Sequence, residues 1–243
     1  MSLLENLKNI HHRDAETLRK NKSFSPAYFP REFFDFCLSL CLCVSVVRAF
    51  RFLFFSALSL TLIACGEAKL PSPFKASDVS AQYAQADFHL YDATGKPRSL
   101  SDYRGKVVAL FFGYTHCPDV CPTTLADMAQ VVRQLDKDAD KLQVLFVTLD
   151  PERDTRELMA QYPPAFHPGF VGLSGDAAAT AQTAKAFGVM YQRQEGKNGA
   201  YTLDHSAGTY LIAPDGRRVL LAPYQQKVEW LVQDIRLLLA LDR

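Results

Sequence analysis

The chain has 243 residues, of which 48% are hydrophobic and 22% charged, which is enough for one complete domain with additional segments. Its formal net charge is +1, and residues 66–243 alone are slightly acidic, with nineteen Lys and Arg against twenty-one Asp and Glu. No basic stripe is interleaved with aromatic residues, which argues against nucleic acid as a partner, and four of the six cysteines lie within residues 1–65, which excludes a disulfide-stapled scaffold.

The N-terminal part of the chain predicts an export segment. Residues 1–47 have no pattern of a folded domain, and we expect them to be disordered or untranslated. Two arginines then precede a mostly apolar run of thirteen residues, 52–64, which is too short to span a bilayer comfortably and is typical of a signal peptide. The run ends in Leu-Ile-Ala-Cys, which resembles a bacterial lipobox. Residues 48–65 are therefore predicted to be a lipoprotein signal peptide that leaves Cys65 lipid-modified.

The alternative is an uncleaved transmembrane helix over residues 36–64. Such a helix would contain Arg48 and Arg51, and an arginine near the bilayer centre costs roughly 2.5–3.5 kcal/mol on insertion scales. We therefore prefer the lipid anchor, on the periplasmic face of a bacterial cell membrane, and both interpretations predict an exported protein. Residues 66–80 contain Pro, Ser and Lys and are predicted to be a tether ahead of a folded domain over 81–243.

Strands and helices alternate along this domain. The hydrophobic periodicity predicts, in order, a hairpin over 87–100, a strand over 106–112, a helix over 124–135, a strand over 142–149, a helix ending near 161, a strand over 170–173, a helix over 176–187, hairpins over 189–203 and 208–221, and a helix over 226–241. Buried strands that alternate with helices form a mixed sheet covered on both faces. The order predicts an α/β, thioredoxin-like fold with an extra N-terminal β-hairpin and an inserted hairpin, and another α/β sandwich is the alternative.

Cys117 and Cys121 lie between a predicted strand and a predicted helix. The strand ends at Gly113, and Pro122 stands where the first turn of a helix tolerates proline. The free N–H groups at a helix N-terminus favour anions, so the position suits a thiolate. If the helix includes both cysteines, their spacing of four places them on one face. Two thiolates so placed can close a disulfide or hold a metal ion.

A third ligand would distinguish these possibilities, and His205 is the candidate. In a thioredoxin-like order the strand after His205 begins beside the cysteine helix, where thioredoxins place a cis-proline, yet no proline occurs between Pro168 and Pro214. Two thiolates and an imidazole form a soft set suited to Cu(I), and the imidazole extends the site to Cu(II). Asp204 is predicted to orient the ring from outside the ligand set. The alternative is a histidine that packs beside a redox-active dithiol.

Four ordered motifs resemble the Sco/SenC family. They are Gly-Tyr-Thr-His-Cys-Pro-Asp-Val-Cys-Pro-Thr-Thr-Leu (113–125), Leu-Asp-Pro-Glu-Arg-Asp-Thr (149–155), Phe-His-Pro-Gly-Phe-Val-Gly-Leu-Ser-Gly (166–175) and Asp-His-Ser-Ala-Gly-Thr-Tyr-Leu (204–211). The resemblance to the family covers roughly residues 80–240. Members of this family are membrane-anchored, thioredoxin-like copper proteins that help assemble the binuclear copper site of cytochrome c oxidase.

The resemblance implies that Cys117, Cys121 and His205 bind copper. It also implies that the partner is the copper-site subunit of cytochrome c oxidase, with another copper chaperone as a further candidate partner. The chemistry of the loop over 150–154 does not indicate a role in copper binding, and we interpret it as a surface loop whose charges pair with each other. His116 and His167 are interpreted as loop residues rather than ligands.

Three function classes are considered for these residues. The leading hypothesis is a copper metallochaperone, a binding and transfer protein rather than a turnover enzyme. Its alternative is an exported thiol:disulfide oxidoreductase that uses Cys117 and Cys121 to reduce the cysteines of copper-site proteins, and His205 is the feature that separates the two. A peroxidase of the peroxiredoxin type is disfavoured, because the residues before Cys117 lack the proline of that motif.

Overall fold

The computed structural model describes residues 72–241. The predicted signal peptide, the alternative membrane helix and the lipidation site Cys65 all lie outside the described residues, so these three remain predictions. Among the helices between residues 72 and 241, none combines the length and the apolar character needed to cross a bilayer.

The described residues form ten strands and five α-helices, and from β2 onward the elements follow the order that the sequence predicts. They are β1 (Ser77–Asp78), α1 (Ser80–Tyr83), β2 (Leu90–Asp92), β3 (Pro97–Arg98), β4 (Val107–Gly113), α2 (Val120–Leu135), β5 (Leu142–Thr148), α3 (Arg156–Gln161), β6 (Val171–Ser174), α4 (Ala177–Ala186), β7 (Tyr191–Glu195), β8 (Tyr201–His205), β9 (Thr209–Ile212), β10 (Val219–Ala222) and α5 (Val228–Leu241). The predicted N-cap of α4 is confirmed, since Asp176 Oδ1 accepts a hydrogen bond from the N–H of Ala179.

Eight strands build one mixed sheet in the order β1-β10-β9-β4-β5-β6-β2-β3. Strands β4, β5 and β6 are parallel, whereas β9 runs antiparallel to β4 and β2 runs antiparallel to β6. The β2–β3 pair is the extra N-terminal hairpin, and β7 and β8 form a separate two-stranded sheet, the inserted hairpin. The predicted mixed α/β architecture is therefore confirmed.

The strand β4 is buried on both faces, which explains why its sequence is a continuous apolar run rather than an alternating one. Side chains of successive strand residues point to opposite faces. Accordingly Phe111 packs in the core under α2 and α5, whereas Phe112 packs in the second core, which α4 covers. The apolar stripe of α2 that the sequence predicts includes Leu125 and Met128, and both are fully buried against the first core.

The predicted tether over residues 66–80 is shorter than expected, because its described part already belongs to the domain. Ser77–Asp78 pairs with β10, and Phe74 is buried in the first core. The backbone N–H groups of Lys75 and Ala76 donate to the two carboxylate oxygens of Asp234 at 2.8 and 2.7 Å. Asp234 lies in α5 and is fully buried. A contact across some 160 residues of sequence is invisible to local patterns, which explains the error.

Replacement of Asp234 by alanine is expected to lower the free energy of unfolding by about 2–4 kcal/mol. The change leaves two buried or half-buried N–H groups without an acceptor, and each orphaned group costs about 1–3 kcal/mol. Urea denaturation measures the effect, with Gln233→Ala, an exposed neighbour on the same helix, as the matched control. Equal stability of the two variants would contradict a structural role for this carboxylate.

Candidate metal centre

Cys117 and Cys121 occupy the loop after β4 and the first turn of α2. The helix begins at Val120, four residues earlier than the predicted helix, so it includes only the second cysteine. Cys117 is half-buried just ahead of the helix, and its Sγ accepts the backbone N–H of Cys121 at 3.4 Å. Both thiols are free. The helix N-terminus thus brings a hydrogen-bond donor to the first sulfur.

His205 reaches the cysteines because of the sheet order. It ends β8, four residues before β9, and β9 pairs with β4 in a register that sets Thr209 opposite Phe111. The His205 Nε2 atom lies 3.7 Å from Cys121 Sγ. The ligand atoms of Cys117, Cys121 and His205 all lie within 4.8 Å of one another, and they form the one group within residues 72–241 that could hold a metal ion.

The imidazole of His205 is held in a defined orientation. Its ring packs edge-on against Tyr114 and Phe111, with ring centroids 6.0 and 6.3 Å away. Its Nδ1 atom lies 3.0 Å from the carbonyl oxygen of Ser206. A carbonyl can only accept a hydrogen bond, so this contact places the proton on Nδ1 and leaves the lone pair of Nε2 directed at the sulfurs.

The predicted role of Asp204 in orienting this ring does not agree with the geometry. Neighbouring residues of a strand point to opposite faces, and the exposed carboxylate of Asp204 accepts a hydrogen bond from Gln194 Nε2 at 2.9 Å. The orienting contact belongs instead to the Ser206 carbonyl, a backbone group that no residue pattern indicates.

Burial distinguishes the two thiols. Cys121 is fully buried, and this raises the pKa of its thiol, an effect to which the neighbouring Cys117 adds. A thiolate at Cys121 without a counter-charge is therefore costly, and a bound cation would remove that cost. Cys117 is the more accessible of the two sulfurs.

Gly113 also belongs to the site, although the motifs did not identify it as a site residue. A Cβ atom on Gly113 would lie 2.6 Å from Cys121 Sγ and 2.9 Å from the ring of Phe146. The glycine therefore makes room for the buried sulfur at the end of β4. The signal in the sequence is a glycine that closes an apolar strand four residues before the first cysteine.

Gly113→Ala is expected to displace Cys121 and to weaken metal binding by about 10–100-fold, the range found when a ligand loses its positioning partner. Gly105→Ala is a glycine control far from the sulfurs, with nothing within 4 Å of its added Cβ, although its φ of +81° adds strain of its own. Competition titration with a Cu(I) chelator measures the effect. A Cu(I) affinity equal to that of the unmodified protein would show that the added Cβ does not displace the sulfur of Cys121.

The loop over 150–154 agrees only in part with the predicted surface loop: Arg153 pairs with Asp150 as expected, but the two aspartates are buried. Asp150 and Asp154 are only 4% and 2% exposed. Asp154 accepts hydrogen bonds from the Thr115 N–H, the Thr115 hydroxyl and the Thr148 hydroxyl at 3.0, 2.6 and 2.6 Å. The carboxylate thereby binds the loop that carries Cys117. The charged residues of this loop predicted exposure to solvent. The carboxylate of Asp154 is instead buried and accepts hydrogen bonds from hydroxyl and amide groups outside the loop.

The other candidate histidines lie apart from the metal-compatible group. The His116 side chain is half-exposed, and its Nδ1 lies near Thr115 Oγ1 and Asp154 Oδ1, at 3.1 and 3.7 Å. His167 Nδ1 accepts the backbone N–H of Gly169 at 3.1 Å within its own loop. These positions agree with the interpretation of both as loop residues.

The architecture and the strand–loop–helix dithiol define a thioredoxin-like protein with an added imidazole beside the dithiol. The family model of SCO1/SenC matches residues 76–240, and the chain therefore belongs to the SCO1/SenC family. This confirms the resemblance that the four motifs indicated.

Curated relatives of the chain carry SCO names. The chain is 45% identical over 139 residues to "Protein SCO2 homolog, mitochondrial" of Bos taurus, a match that covers 56% of this chain and 52% of that protein. It is 42% identical over 132 residues to "Protein SCO1 homolog, mitochondrial" of Homo sapiens, which covers 53% of this chain and 44% of that protein. The chain thus matches about half the length of these relatives.

Solved structures with the same fold include copper-bound proteins. ScoI of Bradyrhizobium japonicum, solved with copper bound, superimposes with a TM-score of 0.58 at 41% identity, over 62% of this chain and 96% of that one. Yeast Sco1 with copper bound gives a TM-score of 0.57 at 29% identity, over 62% of this chain and 85% of that one. The fold prediction is confirmed by these likenesses.

Proposed function

We propose that this protein is a copper metallochaperone that binds copper through Cys117, Cys121 and His205. The observation that carries the proposal is the convergence of two sulfurs and one imidazole nitrogen within 4.8 Å. Thiolates favour Cu(I), and an imidazole nitrogen suits Cu(II), so the set accommodates both oxidation states. The donor type and number fit copper better than a closed structural zinc site, which takes four ligands.

The proposed recipient is the copper-site subunit of cytochrome c oxidase, with another copper chaperone as a further candidate partner. This part of the proposal rests on membership of the SCO1/SenC family, whose members help assemble the binuclear copper site of cytochrome c oxidase. Cys117 is half-buried, so its sulfur is open to a partner. From this side of the site, copper can pass to another protein's thiolates by ligand exchange.

A second candidate function is thiol:disulfide exchange. It is favoured by the separation of the two cysteines by four residues at a helix N-terminus, where the N–H of Cys121 donates to the sulfur of Cys117. In that function Cys117 attacks a partner disulfide as thiolate, and Cys121 resolves the mixed disulfide, so the partner gains two electrons and the pair becomes oxidised.

Copper content and affinity separate these candidates. The full chain, purified in detergent with its thiols reduced, is expected to bind one copper ion per chain in competition with a Cu(I) chelator. A protein that stays metal-free under these conditions but reduces a disulfide substrate would contradict the metallochaperone and support the oxidoreductase.

We further propose that the protein is exported and lipid-anchored through Cys65 on the periplasmic face of the cell membrane. The support is the lipobox-like ending of the apolar run before Cys65. Mass spectrometry of the mature protein is expected to show a lipidated N-terminal Cys65 with residues 1–64 removed. An intact N-terminal segment would contradict the lipid anchor and favour the single transmembrane helix.

A further inference from the structure

The hairpin that carries His205 has few attachments to the rest of the domain. Strands β7 and β8 pair only with each other in the described structure. All five residues of β7 are exposed, and in β8 only Leu203 is fully buried. A two-stranded ribbon with one buried side chain is marginally stable alone. Besides the contacts of the His205 ring itself with Phe111 and Tyr114, further contacts must therefore hold this hairpin against the domain.

The loop over 150–154 supplies that attachment through Tyr201, at the start of β8. The Tyr201 hydroxyl donates to Asp150 Oδ1 at 2.7 Å. Arg153 donates from Nε to Asp150 Oδ2 at 2.5 Å and from Nη1 to the carbonyl oxygen of Tyr201 at 2.9 Å. These bonds close a ring of three residues, in which the carboxylate receives both a hydroxyl and a guanidinium donor.

The Tyr201 ring is also stacked between two cations. The Cζ atoms of Arg153 and Arg193 lie 3.5 and 3.6 Å from its centroid. Two guanidinium groups cannot share one face of a ring at that distance, so they lie on opposite faces. Arg153 comes from the loop and Arg193 from β7, so the stack joins the loop to both strands of the hairpin.

The same loop holds the cysteine side of the site. Asp154, one residue after Arg153, accepts the Thr115 N–H and hydroxyl two residues before Cys117. A five-residue segment therefore binds the cysteine loop at one end and the histidine hairpin at the other. Both of its aspartates are buried, so the attachments are protected from competition by water.

We propose that Asp150, Arg153 and Tyr201 form a latch that positions His205 over Cys117 and Cys121. The three are positioning residues, since none of them belongs to the ligand group. The functional consequence of this inference rests on the proposed copper site, whereas the contacts of the latch join only side chains and backbone groups outside the ligand set. Its opening would separate the imidazole from the sulfurs and leave the dithiol intact.

Tyr201→Phe tests the latch, because it removes one hydroxyl and retains the ring between the two arginines. A hydrogen bond to a charged group contributes about 1.5–3 kcal/mol, so Cu(II) is expected to bind at least about tenfold more weakly. The nitrogen hyperfine coupling in the electron paramagnetic resonance spectrum of the Cu(II) form should weaken in parallel, whereas Cu(I) affinity stays unchanged. Tyr191→Phe, an exposed tyrosine of the same hairpin, is the matched control and should match the unmodified protein.

Amide hydrogen exchange of the metal-free full chain gives an independent measurement. Residues 201–205 are expected to exchange about tenfold faster in Tyr201→Phe than in Tyr191→Phe, because local opening follows the free energy of the broken contact. Unchanged exchange together with an unchanged Cu(II) spectrum would overturn the latch. Equal losses of Cu(I) and Cu(II) affinity would also overturn it, since they indicate general damage. If the unmodified protein binds no copper, the proposed function fails, and the exchange measurement still decides the latch.

Discussion

Cys117→Ser and Cys121→Ser are each expected to abolish tight Cu(I) binding. A soft metal in this site loses half of its thiolate set, and serine oxygen is a hard donor that does not replace a thiolate. We expect losses beyond the roughly 100-fold upper range found when only a supporting partner of a ligand is removed. Competition titration of the reduced protein with a Cu(I) chelator measures the change, and full-affinity, one-to-one binding by either variant would contradict the site.

The two cysteine variants should differ in their free energy of unfolding, although both should lose tight copper binding. Cys117 is half-buried ahead of α2, so a serine hydroxyl there can reach water. Cys121 is fully buried, and a serine hydroxyl without a partner at that position costs about 1–3 kcal/mol. Cys117→Ser is therefore the cleaner test of binding, with Thr123→Ser as a control that keeps its hydroxyl near the same helix N-terminus.

The fold was predictable because its strongest signals are local. The strand β4 is an unbroken apolar run with a glycine at its end, and α2 carries apolar residues at helical spacing. The order of such elements restricts the topology, and that topology brings His205 to the cysteines. Two cysteines and one histidine could thus be selected as a site from the sequence, and the structure places their ligand atoms together.

The parts that were not predictable depend on contacts between distant residues or on backbone atoms. Asp150 and Tyr201 are 51 positions apart, and the pattern of charges around Asp150 is the same as that of a solvated loop. The Ser206 carbonyl orients the imidazole without any side chain, which is why Asp204 was the wrong choice from sequence. The sequence pattern of α5 does not indicate that the carboxylate of Asp234 accepts the N–H groups of Lys75 and Ala76.

His205→Ala is expected to weaken Cu(II) binding far more than Cu(I) binding. Cu(I) is adequately bound by two thiolates, whereas Cu(II) prefers the further nitrogen donor; without it, two Cu(II) ions oxidise the pair to a disulfide and are each reduced to Cu(I). The variant should keep Cys117 and Cys121 able to form and break that disulfide, because thiol exchange needs no imidazole ligand. Asp204→Asn is the matched control, since its carboxylate lies on the opposite face of β8 and should leave both affinities unchanged.

The same variant separates the metallochaperone from the oxidoreductase in cells. Oxidase activity is measured in a deletion strain that carries the unmodified protein, His205→Ala or Cys117→Ser at matched expression. If copper delivery requires the three-ligand site, His205→Ala should lose oxidase assembly almost as completely as Cys117→Ser, and added copper should restore part of it. A protein that acts only as a reductant needs an attacking and a resolving thiol, both of which His205→Ala retains. Full oxidase activity with His205→Ala would therefore reject the copper function and leave thiol:disulfide exchange as the activity of this site.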